Sequence, residues 1–334
     1  MSILVLGGAG YIGSHAVYQL IDQGQQVVVV DNLETGHPEA IHPKAIFYQG
    51  DIRNISFLRE VFTKESIDAV LHFAANSLVG ESMENPLKYF DNNVYGTQIL
   101  LKVMIEHNVK KIVFSSSAAT YGEAASMPIT EEMDCLPANT YGETKLIMEK
   151  LMKWTAQAHD LNYISLRYFN VAGARETAEI GEDHTPETHL IPIILQAALG
   201  QREHISIFGD DYETADGTCI RDYIHVEDLI EAHLLALEYL DNHEKSDIFN
   251  LGSSQGFSVK EVIAAARSVT GIDITEKMSG RRAGDPAMLI ASSEKAKSIL
   301  EWNPSRTSIE KMIRDAWNWH SANPHGYSGR GNIK

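Results

Sequence analysis

Short apolar runs alternate with amphipathic stretches through the first half of the chain, the pattern of β-α-β units feeding a parallel sheet. Apolar runs predict strands at 3–6, 27–30, 46–49, 69–73, 111–115 and 163–168, and helical periodicity predicts helices at 11–23, 55–63, 87–107 and 141–159. Each connection is long enough for the crossover that parallel neighbours require. Beyond Asn170 the rhythm changes. A loop at 173–188, rich in charge and threonine, suits a surface segment over a site; then come a helix at 190–199, a strand at 205–208 and a polar loop to Thr218. Further helices are expected at 228–240, 259–270 and 308–320, with a strand at 247–251 able to rejoin the sheet. The expected architecture is α/β: a doubly wound parallel sheet over 1–170, to which 222–252 returns, and a smaller α/β lobe over 171–325. The glycine-rich end, 326–334, has no apolar period and is expected to fray.

Composition narrows the function classes. Twenty-eight basic against forty-five acidic residues give a formal charge of −17. That disfavours nucleic-acid or anionic-membrane binding, because both need a basic surface. The two cysteines, Cys135 and Cys219, have neither metal-ligand spacing nor partners for a disulfide framework, so no metal is expected. The N-terminal apolar run is too short for a signal peptide and no later one approaches membrane-spanning length. A cytoplasmic protein is the expectation.

Gly7-Gly8-Ala9-Gly10-Tyr11-Ile12-Gly13 follows the first expected strand and opens the first helix. Such glycines serve a tight turn, close approach to a pyrophosphate and close helix–strand packing, and the helix N-terminus offers N–H groups to phosphate. Asp31 ends the second strand eighteen residues past Gly13, where a carboxylate can bind an adenosine ribose hydroxyl and repel a 2′-phosphate; that favours NAD over NADP. With Asn32 and Gly36 nearby, Asp31 could also be a turn residue. Asp51-Ile52 and Phe73-Ala74-Ala75-Asn76-Ser77 lie at strand carboxyl ends, where open α/β sheets bind ligands, although Asp51 alone could simply cap a helix.

Tyr141 and Lys145 share a helix face at i,i+4. A phenol titrates near ~10, and an ammonium beside it together with a cationic nicotinamide ring would make it a usable base. Ser115-Ser116-Ser117 end the preceding strand, and a serine there can hydrogen-bond the oxygen that Tyr141 deprotonates. Ser117 is favoured, with Ser116 in reserve.

These residues together carry a resemblance. Gly7-x-x-Gly10-x-x-Gly13, Asp31-Asn32-Leu33, the three serines and Tyr141-x-x-x-Lys145 resemble the extended short-chain dehydrogenase/reductase superfamily, with its Rossmann-type sheet. Arg167-Tyr168-Phe169-Asn170, the stretch from Gly217 to Val226 and Arg281-Arg282-Ala283-Gly284-Asp285 look like the UDP-glucose 4-epimerase family, and the likeness spans all but the tail. It implies tightly held NAD that takes a hydride from the hexose C4 and returns it to the other face of a 4-keto intermediate, with Tyr141, Lys145 and Ser117 catalytic. It also implies that Gly7, Gly10, Tyr11, Ile12, Gly13, Asp31, Asn32, Leu33, Gly36, Asp51, Ile52, Phe73, Ala74, Ala75, Ser77, Asn92, Ser115, Tyr141, Lys145 and Phe169 surround NAD. Asn170, His189, Leu190, Ile207, Phe208, Arg221, Arg282 and Asp285 would hold the UDP-sugar, beside Ser117 and Tyr141. A bidentate guanidinium suits a diphosphate on independent grounds. Members usually pair two helices per subunit, which points to a homodimer through 87–107 and 141–159.

Two positions depart from the common pattern. His189 stands where many members have asparagine, and Leu289 falls where side-chain size governs room for an N-acetyl group, leaving UDP-N-acetylhexosamines open. A sugar-nucleotide 4,6-dehydratase or decarboxylase of the same fold would need carboxylates just after the strand-end serines, where this chain has Ala118-Ala119. An NAD-binding sensor would not need the Ser–Tyr–Lys set.

Overall fold

The computed structural model describes residues 1–124, 126–282 and 285–329. Seven strands form one sheet in the order Ile46–Gln49, Gln26–Asp31, Ser2–Leu6, Ala69–His72, Lys111–Ser115, Asn162–Tyr168, Asp247–Leu251, every pair parallel. The strands read as unbroken apolar runs because both faces are covered. Ile3, Val5, Val27 and Val29 enter one core with Val17, Leu229 and Phe249, while Leu4, Leu6, Val28 and Val30 enter a second with Leu58, Leu100 and Met148. Helices Tyr11–Asp22 and Val226–His243 pack together on the first face; Ile55–Lys64, Gly96–Glu106 and Thr140–His159 cover the other.

The chain order reverses where the sheet grows outward from Ser2–Leu6 on one side and Ala69–His72 on the other, and the crevice over that switch point is where open α/β sheets take ligands. The smaller lobe closes it. Its core gathers Ile191 and Leu195 from helix Leu190–Ala198, Val262 and Ile263 from Val259–Thr270, and Ile313 from Ile309–Ala322. Short pairings stitch the lobe: Ile205–Phe208 with Glu276–Ser279, Asn170–Ala172 with Tyr223–His225, and Ile220–Arg221 with both Phe257–Ser258 and Met288–Leu289.

Two expectations fail. The helix expected at 87–107 is broken into Pro86–Tyr89, a π-helical turn Phe90–Tyr95 and Gly96–Glu106. The break puts Asn93 inside, where its amide accepts from the Asn76 N–H at 2.8 Å and donates to the Asn76 carbonyl at 3.1 Å and to Thr144 Oγ1 at 3.0 Å. That wide turn ties the helix to the end of Ala69–His72 beside the cleft, the usual setting of such bulges. The tail, for its part, is not frayed from Gly326 onward. Tyr327 is buried, its N–H donates to Asp183 Oδ2 at 2.8 Å, and its hydroxyl accepts from the Gly181 N–H at 3.0 Å. Residues 330–334 lie outside the described part. Helices Val79–Glu84 and Glu294–Ile299 and the short strands of the lobe other than Ile205–Phe208 carried too little periodicity to be anticipated.

Candidate active site

A cavity of roughly 1200 Å³ runs between sheet and lobe. One end is the glycine loop. Gly7 has φ +78°, and a Cβ there would lie 2.7 Å from the Ala74 nitrogen; a Cβ on Gly13 would sit 2.1 Å from the Gly7 carbonyl oxygen. The turn therefore lies flush on the sheet, and Gly10 caps helix Tyr11–Asp22 with no side chain across its N-terminus. Asp31 stands beside it, Oδ2 accepting from the Ala9 N–H at 3.0 Å and Oδ1 from the Leu33 N–H at 2.8 Å. Burial raises its pKa, and those two N–H groups offset part of the rise. A glycine cradle, an open helix end and a flanking carboxylate fit a dinucleotide whose ribose hydroxyls are free.

Gly7, Gly10, Tyr11, Ile12, Gly13, Asp31, Asn32, Ile52, Phe73, Ala74, Ala75, Ser77, Asn92, Ser115 and Phe169 all line this cavity. Leu33, Gly36 and Asp51 do not. Gly36 instead packs on the glycine loop, where an added Cβ would meet the Ala9 Cβ at 2.9 Å. The Asp51 carboxylate is taken by Arg53, Nε to Oδ1 at 2.9 Å and Nη2 to Oδ2 at 2.6 Å, which holds it below the usual carboxylate range. Only its neighbours Gly50 and Ile52 reach the wall.

Helix Thr140–His159 is capped by Asn139, whose side chain accepts from the Gly142 N–H at 2.9 Å, so Tyr141 projects from the first turn. Gly142 lets that turn lie against the loop after Ser117, since a Cβ there would be 2.4 Å from the Ala119 carbonyl oxygen. Tyr141, Lys145 and Ser117 consequently share the cavity wall. Lys145 Nζ donates to the Ser115 carbonyl at 2.8 Å and lies 5.8 Å from the centre of the Tyr141 ring. Burial pushes the lysine down to about 7. Burial raises the phenol, and contact with Ser117 draws it back. In this cleft the protein's own effect on the phenol is upward.

The three serines at the strand end are placed differently. Ser116 Oγ donates to Glu149 Oε1 at 2.6 Å and is absent from the wall. Glu149 in turn holds Arg167 bidentately, at 2.9 and 2.5 Å, with both side chains 4% exposed. The Ser115 hydroxyl is hydrogen-bonded to that of Tyr168. Ser117 alone of the three lies against Tyr141.

At the far end Asn170, His189, Arg221, Arg282, Asp285 and Leu289 line the cavity. Arg221 is held by the Asp285 carboxylate, by the Pro286 carbonyl at 2.8 Å and by the Ile220 carbonyl at 2.7 Å, which presets its guanidinium. Arg282 stacks on Phe208, 4.0 Å from the ring centre. Phe208 thus supports the wall from behind, and Leu190 and Ile207 belong to the lobe core rather than to the wall. Ala283 and Gly284, quoted in the arginine motif, lie outside the described residues. Sequence reasoning missed Glu182, His184 and Glu187, which line the cavity beside His189. Their spacing, Glu-x-His-x-x-Glu-x-His, was the available signal.

A phosphate-accepting glycine turn joined to a Ser–Tyr–Lys wall defines a dinucleotide-dependent enzyme acting on a carbinol or carbonyl carbon. Comparison with known proteins agrees: residues 3–252 match the model of the NAD dependent epimerase/dehydratase family. The chain is 60% identical over 328 residues to a UDP-glucose 4-epimerase of Halalkalibacterium halodurans, covering 98% of each. A crystal structure of a UDP-glucose 4-epimerase superposes with TM-score 0.97 at 60% identity, covering 98% of this chain and 99% of that one. The Bifidobacterium longum enzyme, solved with NAD+ and UDP, superposes with TM-score 0.93 at 38% identity, covering 98% and 100%. The chain belongs to the NAD dependent epimerase/dehydratase family, among its UDP-glucose 4-epimerases. Among the described residues no helix is long and apolar enough to cross a membrane.

Proposed function

We propose that the enzyme interconverts UDP-glucose and UDP-galactose through a transient 4-keto sugar, with Tyr141, Ser117 and Lys145 as its acid–base machinery. The observation that carries this reading is the convergence of those three side chains on one wall, between the glycine cradle and the two arginines. When bound, NAD would supply reversible hydride acceptance and the positive charge that the phenol lacks. Tyr141 takes the proton of the sugar O4 and later returns it to the same oxygen. Ser117 holds that oxygen in line with the phenol, and Lys145, anchored on the Ser115 carbonyl, keeps the phenol oriented. Arg221 and Arg282 clamp the diphosphate, so the hexose can present either face while the nucleotide stays put. Asn170, His189 and Asp285 complete the nucleotide end. Leu190, Ile207 and Phe208, whose side chains are committed elsewhere, contribute main-chain groups or support. Ala118 and Ala119 offer no acid or base for elimination, which disfavours a dehydratase.

Incubation with UDP-galactose is expected to yield UDP-glucose, with no dehydrated or decarboxylated sugar, as read by chromatography of the nucleotide sugars. A 4-keto-6-deoxy product would overturn the proposal. UDP-N-acetylgalactosamine in a parallel incubation reads directly whether Leu289 leaves room for the acetamido group.

A homodimer is proposed on the same footing. Leu87 (77% exposed), Tyr95 (45%) and Trp154 (67%) stand out from the two helical segments named above, and apolar residues so exposed on neighbouring helices suit a subunit interface. Light scattering at micromolar concentration is expected to give twice the chain mass; a monomer would refute it.

A further inference from the structure

We propose that Glu182, His184, Glu187 and His189 form a zinc site that ties the loop over the cleft to the nucleotide-binding helix. One ligand atom from each converges, all within 4.8 Å of one another. The Nδ1–carboxylate separations are 3.2 Å (His184–Glu182), 3.7 Å (His184–Glu187), 2.8 Å (His189–Glu182) and 3.2 Å (His189–Glu187). A tetrahedral ion with ligands at about 2.0–2.1 Å has an edge of about 3.3 Å; the His184–Glu182 Oε1 and His189–Glu187 Oε1 separations match it, and those of His189 to Glu182 Oε1 and His184 to Glu187 Oε2 lie about half an ångström to either side.

Three further observations point to an ion rather than to paired charges. First, the Nδ1 atoms of His184 and His189 are both buried yet make no hydrogen bond of acceptable geometry, although carboxylate oxygens lie at hydrogen-bonding distance. Second, Glu182 and Glu187 are 5% and 3% exposed, and among the described residues neither pairs with a lysine or arginine. Two adjacent carboxylates removed from water need strong positive charge, and a divalent cation supplies it. Third, Glu187 is itself positioned, its Oε1 accepting from the Thr188 and His189 N–H groups at 2.8 Å each, the kind of outer bond that orients a metal-bound carboxylate.

The donor set selects the metal. Two imidazoles disfavour magnesium and calcium, which take oxygen ligands, whereas two nitrogens and two carboxylates in a tetrahedron suit zinc. Four protein ligands close the shell, so the role is structural. The consequence lies in what is joined. His189 is the N-cap of helix Leu190–Ala198 at the substrate end. His184 stands edge-on to Tyr11, the first residue of the dinucleotide helix, 6.4 Å between ring centres, and the Tyr11 hydroxyl donates to the Gly173 carbonyl at 2.6 Å where the loop begins. The ion would hold both ends of the cleft in register.

The test uses the full chain, stripped with a chelator and titrated with Zn2+ and, separately, Co2+. About one equivalent of zinc per chain is expected, with a raised melting temperature, and Co2+ should give the intense visible bands of tetrahedral coordination. His184→Ala and Glu182→Gln should abolish both the stoichiometric binding and the metal-dependent rise in melting temperature, while a Cys135→Ala/Cys219→Ala variant should retain them. Absence of stoichiometric binding by the stripped protein would overturn the proposal. So would binding that survives His184→Ala or vanishes with the cysteines. In the metal-free alternative burial opposes charge on the histidines, but the carboxylates override it and push His184 up to about 9 and His189 to about 10; melting would then be insensitive to zinc.

Discussion

Tyr141→Phe is expected to lower turnover of UDP-galactose by about 10²–10⁴-fold, the range that a positioned acid–base group contributes. The change removes one oxygen from a half-buried side chain on the cavity wall and leaves the ring that packs over Lys145. Binding of NAD and of UDP should therefore stay close to wild type, because neither the glycine cradle nor Arg221 and Arg282 contacts that oxygen. Turnover and equilibrium binding, measured on the same preparation, separate the two effects. Near-normal turnover would remove Tyr141 from the mechanism; a parallel loss of nucleotide binding would show that the ring, not the hydroxyl, had been disturbed.

The second large effect is expected away from the chemistry. Glu149→Gln leaves the Arg167 guanidinium, on a side chain 4% exposed, without its carboxylate inside the layer behind the serines. Breaking a buried ion pair by neutralising one partner costs about 3–5 kcal/mol, because the remaining charge stays desolvated. The Ser116 hydroxyl, which donates to Glu149 Oε1, and the Tyr121 ring, 4.8 Å from the guanidinium carbon, pack around the same pair. Thermal unfolding should show a fall of several degrees or more. The double change Glu149→Leu with Arg167→Met should recover much of it, since removing both charges leaves no uncompensated ion. If Glu149→Gln alone melts like wild type, the pair is not the structural element described here.

The strands at Ile46–Gln49, Lys111–Ser115, Ile205–Phe208 and Asp247–Leu251 and the helix Val259–Thr270 were readable to the residue, since each is a local apolar run or amphipathic period with clear ends. The segment from Pro86 to Glu106 was not. Its sequence is helical throughout, and the π turn goes with the bonds that Asn93 makes to Asn76 and Thr144 on other elements. Tyr327 likewise sits in a stretch with no period of its own, and its burial depends on Gly181 and Trp319, far away in sequence or on another element.

The cofactor end was legible because glycine spacing and a strand-end carboxylate are local requirements of a phosphate turn. The Tyr141/Lys145 pair was legible because helix geometry alone puts i and i+4 together. By itself, then, the sequence determined the sheet, the nucleotide turn and the chemistry-bearing residue types. Tertiary structure alone decided that Ser117 rather than Ser116 meets Tyr141, because Glu149 and Arg167 claim the other hydroxyl. It also decided that burial raises the phenol and lowers Lys145, an effect of enclosure that no local pattern encodes. Finally, it gathered Glu182, His184, Glu187 and His189 around one point, since convergence of donors depends on how a loop without secondary structure is folded against its neighbours.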